Sequence, residues 1–359
     1  MSFNMSNPRV LFILKRREDY NTEKHSNSGM STGLFNSSSF MNDMLNDCNI
    51  ESKILVVVDN NEIDREVTKF KPTHVIIEAL WVVPSKFSVL CELHPKIKWV
   101  IRLHSELPFL SNEGNALDWL GDYSPFENVI IAVNAPRILI EIREFLGIKL
   151  KWDNNMKNKK VIYLPNFYPQ NYKFKFFNKN KDYIDISCFG AIRPMKNHTV
   201  QAIASIRFAE KINKKLRFHI NSGRVEQKGD SSLNNLKGLF SHLYESGHRL
   251  VNHEWSPRNE FIETCYKMDI GVQVSFSETF NIVGADIVTQ GVPFVGSEEI
   301  PWIFKPFSAK PTESDEIYKK LLLAYKFPLI NNIVHQYLLN RYTNKTRKTW
   351  INYLKDNKI

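Results

Sequence analysis

Residues 275–297 read Ser-Phe-Ser-Glu-Thr-Phe-Asn-Ile-Val-Gly-Ala-Asp-Ile-Val-Thr-Gln-Gly-Val-Pro-Phe-Val-Gly-Ser. The pattern predicts a strand end, an acidic turn, a helix, a glycine stop and a second strand, with Glu278 and Asp286 flanking the helix start. An acidic residue just past a strand can bind hydroxyl groups, and free N–H groups at a helix start can bind phosphate. Thr279, Phe280 and Asn281 lead into that helix. The segment therefore predicts a site for a ligand such as a sugar nucleotide, which carries both groups.

The same segment resembles the acidic motif of retaining glycosyltransferases of the two-domain GT-B type. It is similar to the large GT4-like family (group 1 glycosyl transferases), whose signature is Glu, seven residues, Glu, then Gly-x-Pro-hydrophobic-Val. Glu278 fills the first position, and Asp286 fills the second with a side chain shorter by one methylene. The resemblance implies that Glu278 lies by the transferred sugar and that Asp286 holds the ribose. An Asp in a first helical turn can equally complement the helix dipole.

The length and composition of the chain fit two domains. The chain has 359 residues, of which 43% are hydrophobic, enough for two cores. Its apolar runs are strand-sized and far below the roughly 20 residues that a bilayer requires, so we expect no integral membrane segment. Residues 1–8 are polar and predict no signal peptide, which favours a cytoplasmic protein. Four cysteines without metal-binding spacing are expected to be reduced thiols.

Short apolar strands alternate with helical segments in both halves, which predicts α/β domains with parallel sheets. In the first half, strands are predicted at 9–15, 53–58, 73–79, 98–104, 128–133 and 160–165. In the second half, they are predicted at 185–190, 216–221, 250–255, 269–274 and 293–296. The GT-B resemblance implies two Rossmann-like domains that face each other across a cleft. The predicted divisions are an acceptor-side domain at 1–166, a basic and aromatic linker at 167–182, a donor domain at 183–335, and a helix at 336–359 that packs back on the first domain.

Several polar residues of the first half follow predicted strands, where parallel sheets bind ligands. Arg16 and Arg17 come after the first strand and are weak candidates for acceptor contacts. His104 is the last residue of the fourth predicted strand. The resemblance implies that His104 contacts the transferred sugar, whereas a histidine at this place can also be satisfied by a backbone carbonyl. Gly33, in a glycine-bearing loop similar to one that approaches the donor diphosphate in the family, can also be a turn residue.

The first strand of the second half leads into Phe189-Gly-Ala-Ile-Arg-Pro-Met-Lys-Asn-His198. This segment resembles the family element Gly-x-x-x-x-x-Lys-Asn and places Gly190 at a tight turn. Arg193 and Lys196 are then expected to neutralise the leaving diphosphate, since fixed cations stabilise charge that develops in the transition state. The chain has no Asp-x-Asp motif, so we expect neither a metal ion nor another cofactor besides the nucleotide-sugar donor, by analogy a UDP-sugar.

Two further loops of the second half carry donor-binding candidates. The segment Ser222-Gly-Arg224 resembles the family's glycine loop under the nucleotide, with Gly223 as the turn and Arg224 as a phosphate contact. Trp255 follows the next strand and is a candidate for contact with the base. A tryptophan at this position can equally belong to the core.

The net charge and the basic residues of the linker indicate which acceptor the protein uses. The formal net charge is +10, which favours polyanionic partners without specifying one. Lys173 and Lys175 alternate with aromatic residues in the linker, a pattern suited to phosphates and bases, although a solvated linker gives the same pattern. The Asn-, Lys- and Phe-rich composition looks like that of phage-encoded transferases, so we predict 5-hydroxymethylcytosine in DNA as the acceptor. A lipid-linked or cell-surface glycan is the alternative acceptor, and an inactive GT-B binding module is a third hypothesis. The oligomeric state is left open.

Overall fold

A computed structural model describes residues 7–16 and 33–355 of the chain. The described chain divides into two compact units. The first unit comprises residues 7–16, 33–169 and 343–355, and the second comprises residues 170–342. Each unit contains one six-stranded sheet whose neighbouring strands are all parallel. The predicted α/β class with two parallel sheets is confirmed.

The sheet of the first unit has the strand order β2-β1-β3-β4-β5-β6. Its strands are β1 (Arg9–Lys15), β2 (Glu51–Val57), β3 (His74–Glu78), β4 (Lys98–Leu103), β5 (Val129–Val133) and β6 (Val161–Tyr163). Its helices are α1 (Gly33–Asp47), α2 (Glu62–Phe70), α3 (Lys86–Leu93), α4 (Leu107–Leu110), α5 (Ala116–Asp122), α6 (Pro136–Leu150) and α7 (Asn154–Lys160). The strands are short apolar runs because both faces of the sheet are buried.

The two faces of this sheet pack into separate cores. Leu11 and Ile13 of β1 belong to the core that also holds side chains of α2, α3 and α6. Val10 and Phe12, which alternate with them, belong to a second core with α1 and the end of the C-terminal helix. Such burial on both sides leaves the strand ends as the places where polar residues can function.

The sheet of the second unit has the strand order β12-β11-β10-β7-β8-β9. Its strands are β7 (Tyr183–Ile192), β8 (Lys215–Val225), β9 (Arg249–His253), β10 (Ile270–Gln273), β11 (Phe294–Ser297) and β12 (Ser308–Ala309). Its helices are α8 (His198–Lys211), α9 (Asp230–His242), α10 (Arg258–Lys267), α11 (Ile282–Thr289) and α12 (Ser314–Lys326). The segment that opened the sequence analysis thus forms the turn after β10, the helix α11 and the strand β11.

The last helix, α13, extends over 28 residues from Pro328 to Lys355. Its residues from 343 onward belong to the first unit. There Trp350 is fully buried, its ring centroid lies 5.9 Å from that of Phe12, and its indole N–H donates to the Pro165 carbonyl at 2.9 Å. The C-terminal residues therefore complete the core of the unit that the chain begins.

Two further observations concern the class of protein. Within residues 7–16 and 33–355, no helix is long and apolar enough to cross a membrane. All four cysteines are free thiols; Cys188 of β7 and Cys265 are buried, whereas Cys48 and Cys91 are partly exposed.

Candidate active site

The candidate residues of the second unit converge at one edge of its sheet. Because all the strands are parallel, their carboxyl ends meet at the same edge. Arg193 follows β7, Glu226 follows β8, Trp255 follows β9 and Glu278 follows β10. The sequence predicted three of these four positions, and Glu226 was missed.

Glu278 is held by a cation at its side chain and by a carboxylate at its backbone N–H. β7 ends at Ile192, and a single 3₁₀ turn, Pro194–Lys196, carries Lys196 towards the turn after β10. The Lys196 ammonium forms an ion pair with the Glu278 carboxylate, and the two side chains are 13% and 7% exposed. The backbone N–H of Glu278 donates to the Glu299 carboxylate at 2.9 Å. Two residues selected separately from the sequence thus form one nearly buried pair.

Arg193 and Arg224 share a carboxylate partner. Arg193 Nη1 lies 3.7 Å from Glu226 Oε2, and Arg224 Nη2 contacts Glu226 Oε1. The Arg224 guanidinium also lies 5.1 Å from the centroid of the Trp255 ring, within the range of a cation–π interaction. Trp255 is half-buried rather than part of the core. The edge therefore concentrates three cations, counting Lys196, which pair with two carboxylates, Glu226 and Glu278.

Asp286 does not lie in a first helical turn. The helix α11 begins at Ile282, so Asp286 is its fifth residue, and the dipole interpretation is wrong. Its carboxylate Oδ1 lies 2.6 Å from Arg258 Nη2, and its side chain is 2% exposed. Arg258, which begins α10, was not identified from the sequence, because nothing in the local pattern links it to a residue 28 positions away.

The start of α11 is capped by the chain itself. Asn281 has a left-handed backbone (φ +59°), and its side-chain oxygen accepts a hydrogen bond from the Gly284 N–H at 2.6 Å. One of the N–H groups available for phosphate is therefore occupied. Phe280 is 1% exposed and its ring packs against Trp302, so its side chain belongs to the core. Thr279 is partly exposed.

Two glycines predicted at turns lie inside strands. Gly190 has φ +113° within β7, where the register with β8 shifts, and its N–H donates to Asn221 Oδ1 at 3.0 Å. Gly223 lies in β8, where an added Cβ would sit 2.7 Å from Glu254 Oε2 and 2.8 Å from the Trp255 nitrogen. The turn predictions are wrong: a bulge requires the first glycine, and close approach of the following loop requires the second.

The first unit carries its own polar cluster at the carboxyl ends of its strands. Glu78 and Arg102 are fully buried, and Arg102 Nη1 lies 3.0 and 3.2 Å from the two carboxylate oxygens. Arg102 also donates to Asn166 Oδ1 at 2.5 Å. His104 Nε2 contacts Glu78 Oε2. A buried carboxylate is thus one partner of His104.

This cluster sets the charge of its members. Burial by itself raises the pKa of Glu78, but Arg102 and His104 together lower it below its usual range. Burial and Arg102 lower the pKa of His104, and Glu78 opposes them only in part. A neutral imidazole that donates from Nε2 to Glu78 leaves Nδ1 as an acceptor, and Asn134 Nδ2 lies 3.5 Å from it. His104 is therefore a fixed neutral group at neutral pH, 16% exposed.

The weaker candidates have different surroundings. Gly33 is the first residue of α1, with open space around the position of an added Cβ. Arg16 is exposed just after β1, and Arg17 lies outside the described residues. Lys175 donates to the backbone carbonyls of Tyr266 and Met268, and burial lowers its pKa to about 8. The prediction that Lys175 contacts an acceptor is therefore not supported by its geometry.

Lys173 is exposed, and its ammonium lies 5.4 Å from the centroid of the Tyr266 ring. It stays a candidate for contact with an acceptor. Among residues 7–16 and 33–355, no group of three or more His, Cys, Asp or Glu side chains is placed to hold a metal ion.

The paired parallel sheets define a GT-B fold, which the comparison with solved structures shows independently. A UDP-forming α,α-trehalose-phosphate synthase from Burkholderia xenovorans superimposes with a TM-score of 0.66 at 11% identity, over 98% of this chain and 99% of that one. A trehalose-6-phosphate structure from E. coli with bound UDP-2-fluoro glucose gives 0.68 at 10% identity, over 97% and 99%. HepE from Anabaena, in complex with UDP and glucose, gives 0.62 at 11% identity, over 97% and 99%.

Comparison of the sequence with protein-family models gave no match. Comparison with curated proteins gave none either. Identities of about a tenth to the solved structures show the fold alone.

Proposed function

We propose that this protein is a retaining, metal-independent glycosyltransferase that uses a nucleotide-sugar donor, most simply a UDP-sugar. The observation that carries the proposal is the cluster of Arg193, Lys196 and Arg224 around Glu226 and Glu278 at the carboxyl edge of the second sheet. A sugar nucleotide presents a diphosphate and several hydroxyls, which match clustered cations and a fixed carboxylate. Support by analogy comes from the E. coli and Anabaena structures, which hold UDP-2-fluoro glucose and UDP with glucose.

The reaction breaks the bond between the sugar and the terminal phosphate oxygen, so negative charge grows on that phosphate. Lys196 and Arg193 stabilise this charge, a contribution of roughly 3–4 kcal/mol for one well-placed donor. The departing phosphate oxygen accepts the proton of the attacking hydroxyl on the same face of the sugar. Glu278 then positions the sugar and does not act as a base. Before the donor binds, Glu226 and Glu278 form ion pairs with the three cations. The diphosphate then replaces these carboxylates as the partner of the cations.

The other donor contacts belong to the same proposal. Arg224 and Trp255 flank the strand position of Gly223 and offer a cation and an aromatic face for the nucleotide. Asp286 reaches the ribose only together with Arg258, its partner at 2.6 Å.

His104, Gly33, Gly190 and the α11 entrance at Thr279, Phe280 and Asn281 keep their predicted donor-side roles. For Phe280 that role is limited to the backbone, because its side chain lies in the core.

For the acceptor we propose 5-hydroxymethylcytosine in DNA, on the basis of the net charge of +10 and the basic, aromatic linker. A duplex base would have to be flipped out to reach a donor. Lys175 no longer contributes to this argument, whereas the exposed Lys173 does.

A lipid-linked or cell-surface glycan is the second candidate acceptor. Phe174 and Phe176 are 59% and 86% exposed, and their ring centroids lie 5.0 Å apart. Leu329, which is 49% exposed, lines the same depression. Exposed aromatic residues next to lysines suit an anionic membrane surface as well as unpaired bases.

The test is intact-mass analysis of oligonucleotides that carry 5-hydroxymethylcytosine or cytosine, after incubation with a panel of UDP-sugars and no added metal. A hexose or pentose gain confined to the hydroxymethylated strand supports the whole proposal. Donor hydrolysis without transfer to DNA supports the transferase and moves the acceptor to a glycan. Neither transfer nor hydrolysis with any donor would favour the inactive binding module.

Two variants tie the activity to the site. Lys196→Ala and Glu278→Gln are expected to lower turnover at saturating donor by at least a hundredfold. The matched control is Lys319→Ala, since Lys319 pairs with Asp315 on an exposed face of α12 and is 69% exposed. Full turnover in Lys196→Ala would contradict the assigned role.

A further inference from the structure

The helix α13 begins with a stretch, residues 328–337, whose polarity is the reverse of that of an ordinary surface helix. Its buried side chains are all polar, namely Asn331, Asn332 and His335. Its exposed side chains are all large and hydrophobic, with 49–61% exposure, namely Leu329, Ile330, Ile333 and Tyr337. A surface helix normally buries its hydrophobic side chains and exposes its polar ones.

The buried polar side chains have a role in the fold of the second unit. The Asn331 side chain accepts from the Phe294 N–H at 2.8 Å and donates to the Phe294 carbonyl at 2.9 Å. Asn332 donates to the Val288 carbonyl at 3.0 Å. These bonds attach α13 to β11 and α11. The inward face of the helix is therefore determined by the fold, whereas the hydrophobic outward face contributes little to it and indicates an interaction surface.

The linker supplies a second row of exposed hydrophobic side chains. Lys175 is directed inward, where it donates to two backbone carbonyls of the second unit. Phe177 is also directed inward, and its ring packs against a tyrosine of α12 with the centroids 5.6 Å apart. Phe174 and Phe176 alternate with these two residues and point outward. An extended chain produces this alternation, so the two exposed phenylalanines share one face.

The linker and the start of α13 lie side by side. Gln336 donates to the Lys173 carbonyl at 3.2 Å. Between the two segments lies a depression of about 220 Å³ that Phe174, Phe176 and Leu329 line. We call the six exposed side chains of the two segments the hydrophobic surface: Phe174, Phe176, Leu329, Ile330, Ile333 and Tyr337.

Cations flank the hydrophobic surface. Lys173 precedes its first phenylalanine, Lys326 ends α12 just before α13, and Arg341 lies one helical turn beyond its tyrosine. All three side chains are exposed, and none of them forms an ion pair with another residue that the structure describes. Residues 170–181 and 317–342, which carry the surface and its flanks, contain no Asp or Glu. The surface therefore combines hydrophobic contact area with uncompensated positive charge.

This combination fits one kind of partner best. Aromatic and aliphatic side chains enter the boundary between lipid headgroups and acyl chains, and lysines and arginines meet anionic lipid phosphates. Unpaired bases would stack on the two phenylalanines but gain little from a leucine and two isoleucines. A second copy of the chain, related by a two-fold axis, would bring cations and no carboxylates of these segments against the same cations.

We propose that the hydrophobic surface docks on an anionic lipid membrane. The six side chains enter the headgroup region, and Lys173, Lys326 and Arg341 contact lipid phosphates, while no segment of α13 crosses the bilayer. The proposal goes beyond the transfer reaction, because docking requires neither a donor nor an acceptor. Either proposal can therefore fail without the other.

Cosedimentation with lipid vesicles tests the docking. We expect the protein to bind vesicles of phosphatidylcholine and phosphatidylglycerol in equal parts, and to bind vesicles of phosphatidylcholine alone at least tenfold more weakly. Added salt should weaken binding to the anionic vesicles, because it screens the cations. Absence of binding to the anionic vesicles, or equal binding to both kinds, would overturn the proposal.

One pair of variants tests the hydrophobic contact. Ile330→Ser combined with Ile333→Ser is expected to raise the lipid concentration for half-binding at least tenfold, with a Tm close to that of the unmodified protein. The matched control is Ile140→Ser combined with Ile148→Ser, since these isoleucines of α6 are 62% and 81% exposed and lie outside the surface. Equal binding by the two double variants would contradict the assigned contact.

A second pair tests the charge. Lys326→Ala combined with Arg341→Ala is expected to weaken binding to anionic vesicles at least fivefold. Arg65→Ala combined with Lys69→Ala removes the same net charge from the surface of α2, where both cations already pair with glutamates, and should change binding little. Equal weakening by the two double variants would show that net charge and not this surface attracts the protein to lipid.

Insertion is measured with a tryptophan at the surface. With brominated phosphatidylcholine in the anionic vesicles, Tyr337→Trp should gain fluorescence quenching over the unmodified protein, whereas Tyr244→Trp, at a tyrosine that is 64% exposed elsewhere in the second unit, should not. A dimer in sedimentation equilibrium, or binding to oligothymidylate, that Ile330→Ser with Ile333→Ser abolishes would, without binding to vesicles, assign the surface to that partner and overturn the proposal. Donor hydrolysis by the same double variant should stay unchanged, which separates docking from transfer.

Discussion

Replacement of Glu78 by glutamine is expected to destabilise the first unit by about 3–5 kcal/mol, the usual cost of breaking a buried ion pair. Glu78 and Arg102 are both 0% exposed, and two contacts of 3.0 and 3.2 Å join them. A guanidinium cannot release its proton in a protein, so Arg102 stays charged in a dry environment when its counterion is neutral. The variant therefore loses the Coulomb attraction and keeps the desolvation cost of the cation.

The reverse change, Arg102→Met, is expected to cost less, about 1–3 kcal/mol, mainly from acceptors left without their donor. Glu78 keeps His104 as a partner, and the pKa of His104 rises because the repulsion by the Arg102 cation is removed while the attraction by the carboxylate stays. A histidine whose folded pKa is raised contributes stability below its unfolded pKa and loses it as pH rises through the folded value. Arg102→Met is therefore expected to be less destabilised at pH 5.5 than at pH 8.5, relative to the unmodified protein.

Scanning calorimetry at both pH values measures these changes, and hydrogen exchange of the β3 and β4 amides assigns them to the first unit. Glu51→Gln is the matched control, because Glu51 pairs with Arg9 at the surface with 57% of its side chain exposed, and no measurable change is expected. A cost below about 1 kcal/mol for Glu78→Gln would refute the reasoning, since such a value is typical of solvated pairs. A larger cost for Arg102→Met at pH 5.5 than at pH 8.5 would refute the compensation by His104.

Three further outcomes are expected. Gly223→Ala places a Cβ 2.8 Å from the Trp255 nitrogen, so the loop that carries Trp255 must shift. We expect a lower Tm and at least a tenfold weaker affinity for UDP, measured by calorimetry. An unchanged affinity would show that this loop does not contact the nucleotide. Asn281→Ala removes the cap on α11 and places alanine in a left-handed backbone conformation that strains it, so we expect the free energy of unfolding in urea to fall by about 1–2 kcal/mol. Asn281→Gly should cost less, because glycine adopts this conformation without strain. Burial lowers the pKa values of His74 and His335 to about 4 and about 3, so on acidification these histidines become protonated in the unfolded chain before they do in the folded one. The free energy of unfolding should therefore fall below pH 6.5 by roughly 1.4 kcal/mol per pH unit for each histidine. His335→Gln should remove the contribution of His335 to this pH dependence.

Much of the fold follows from local pattern. β1 was predicted with the bounds that it has, because an apolar run of five residues between Arg9 and Lys15 has few alternatives. The sequence pattern does not reveal the helix α2, because its nine residues are mostly charged and only Ile63 and Val67, one turn apart, are buried. β12 has two residues and carries no pattern of its own. Short or mostly solvated elements are fixed by tertiary contacts that a sequence window does not contain.

In the candidate site, single charged residues could be selected from the sequence, whereas the partners that other elements supply could not. Lys196 and Glu278 were recognised from motifs, but their pairing across 82 positions was not. Gly223 was predicted at a turn because its segment resembles the family's glycine loop, whereas the close approach of Trp255 explains the glycine. Lys175 looked like a solvent-facing cation, yet two carbonyls of α10 and its end bind it. In each case the missing information is the identity of a distant neighbour.

The path of α13 has a consequence for biosynthesis. Trp350 fills the core beside Phe12, yet a ribosome makes residue 350 only after the whole of the second unit. At about 5–20 residues per second, the first unit waits roughly 10–40 s between the synthesis of β6 and that of its last core residue. During this interval the nascent chain exposes the apolar surface that Trp350 and Leu354 later cover. Of the two units, the first is thus the one whose synthesis starts earlier and whose core is completed later.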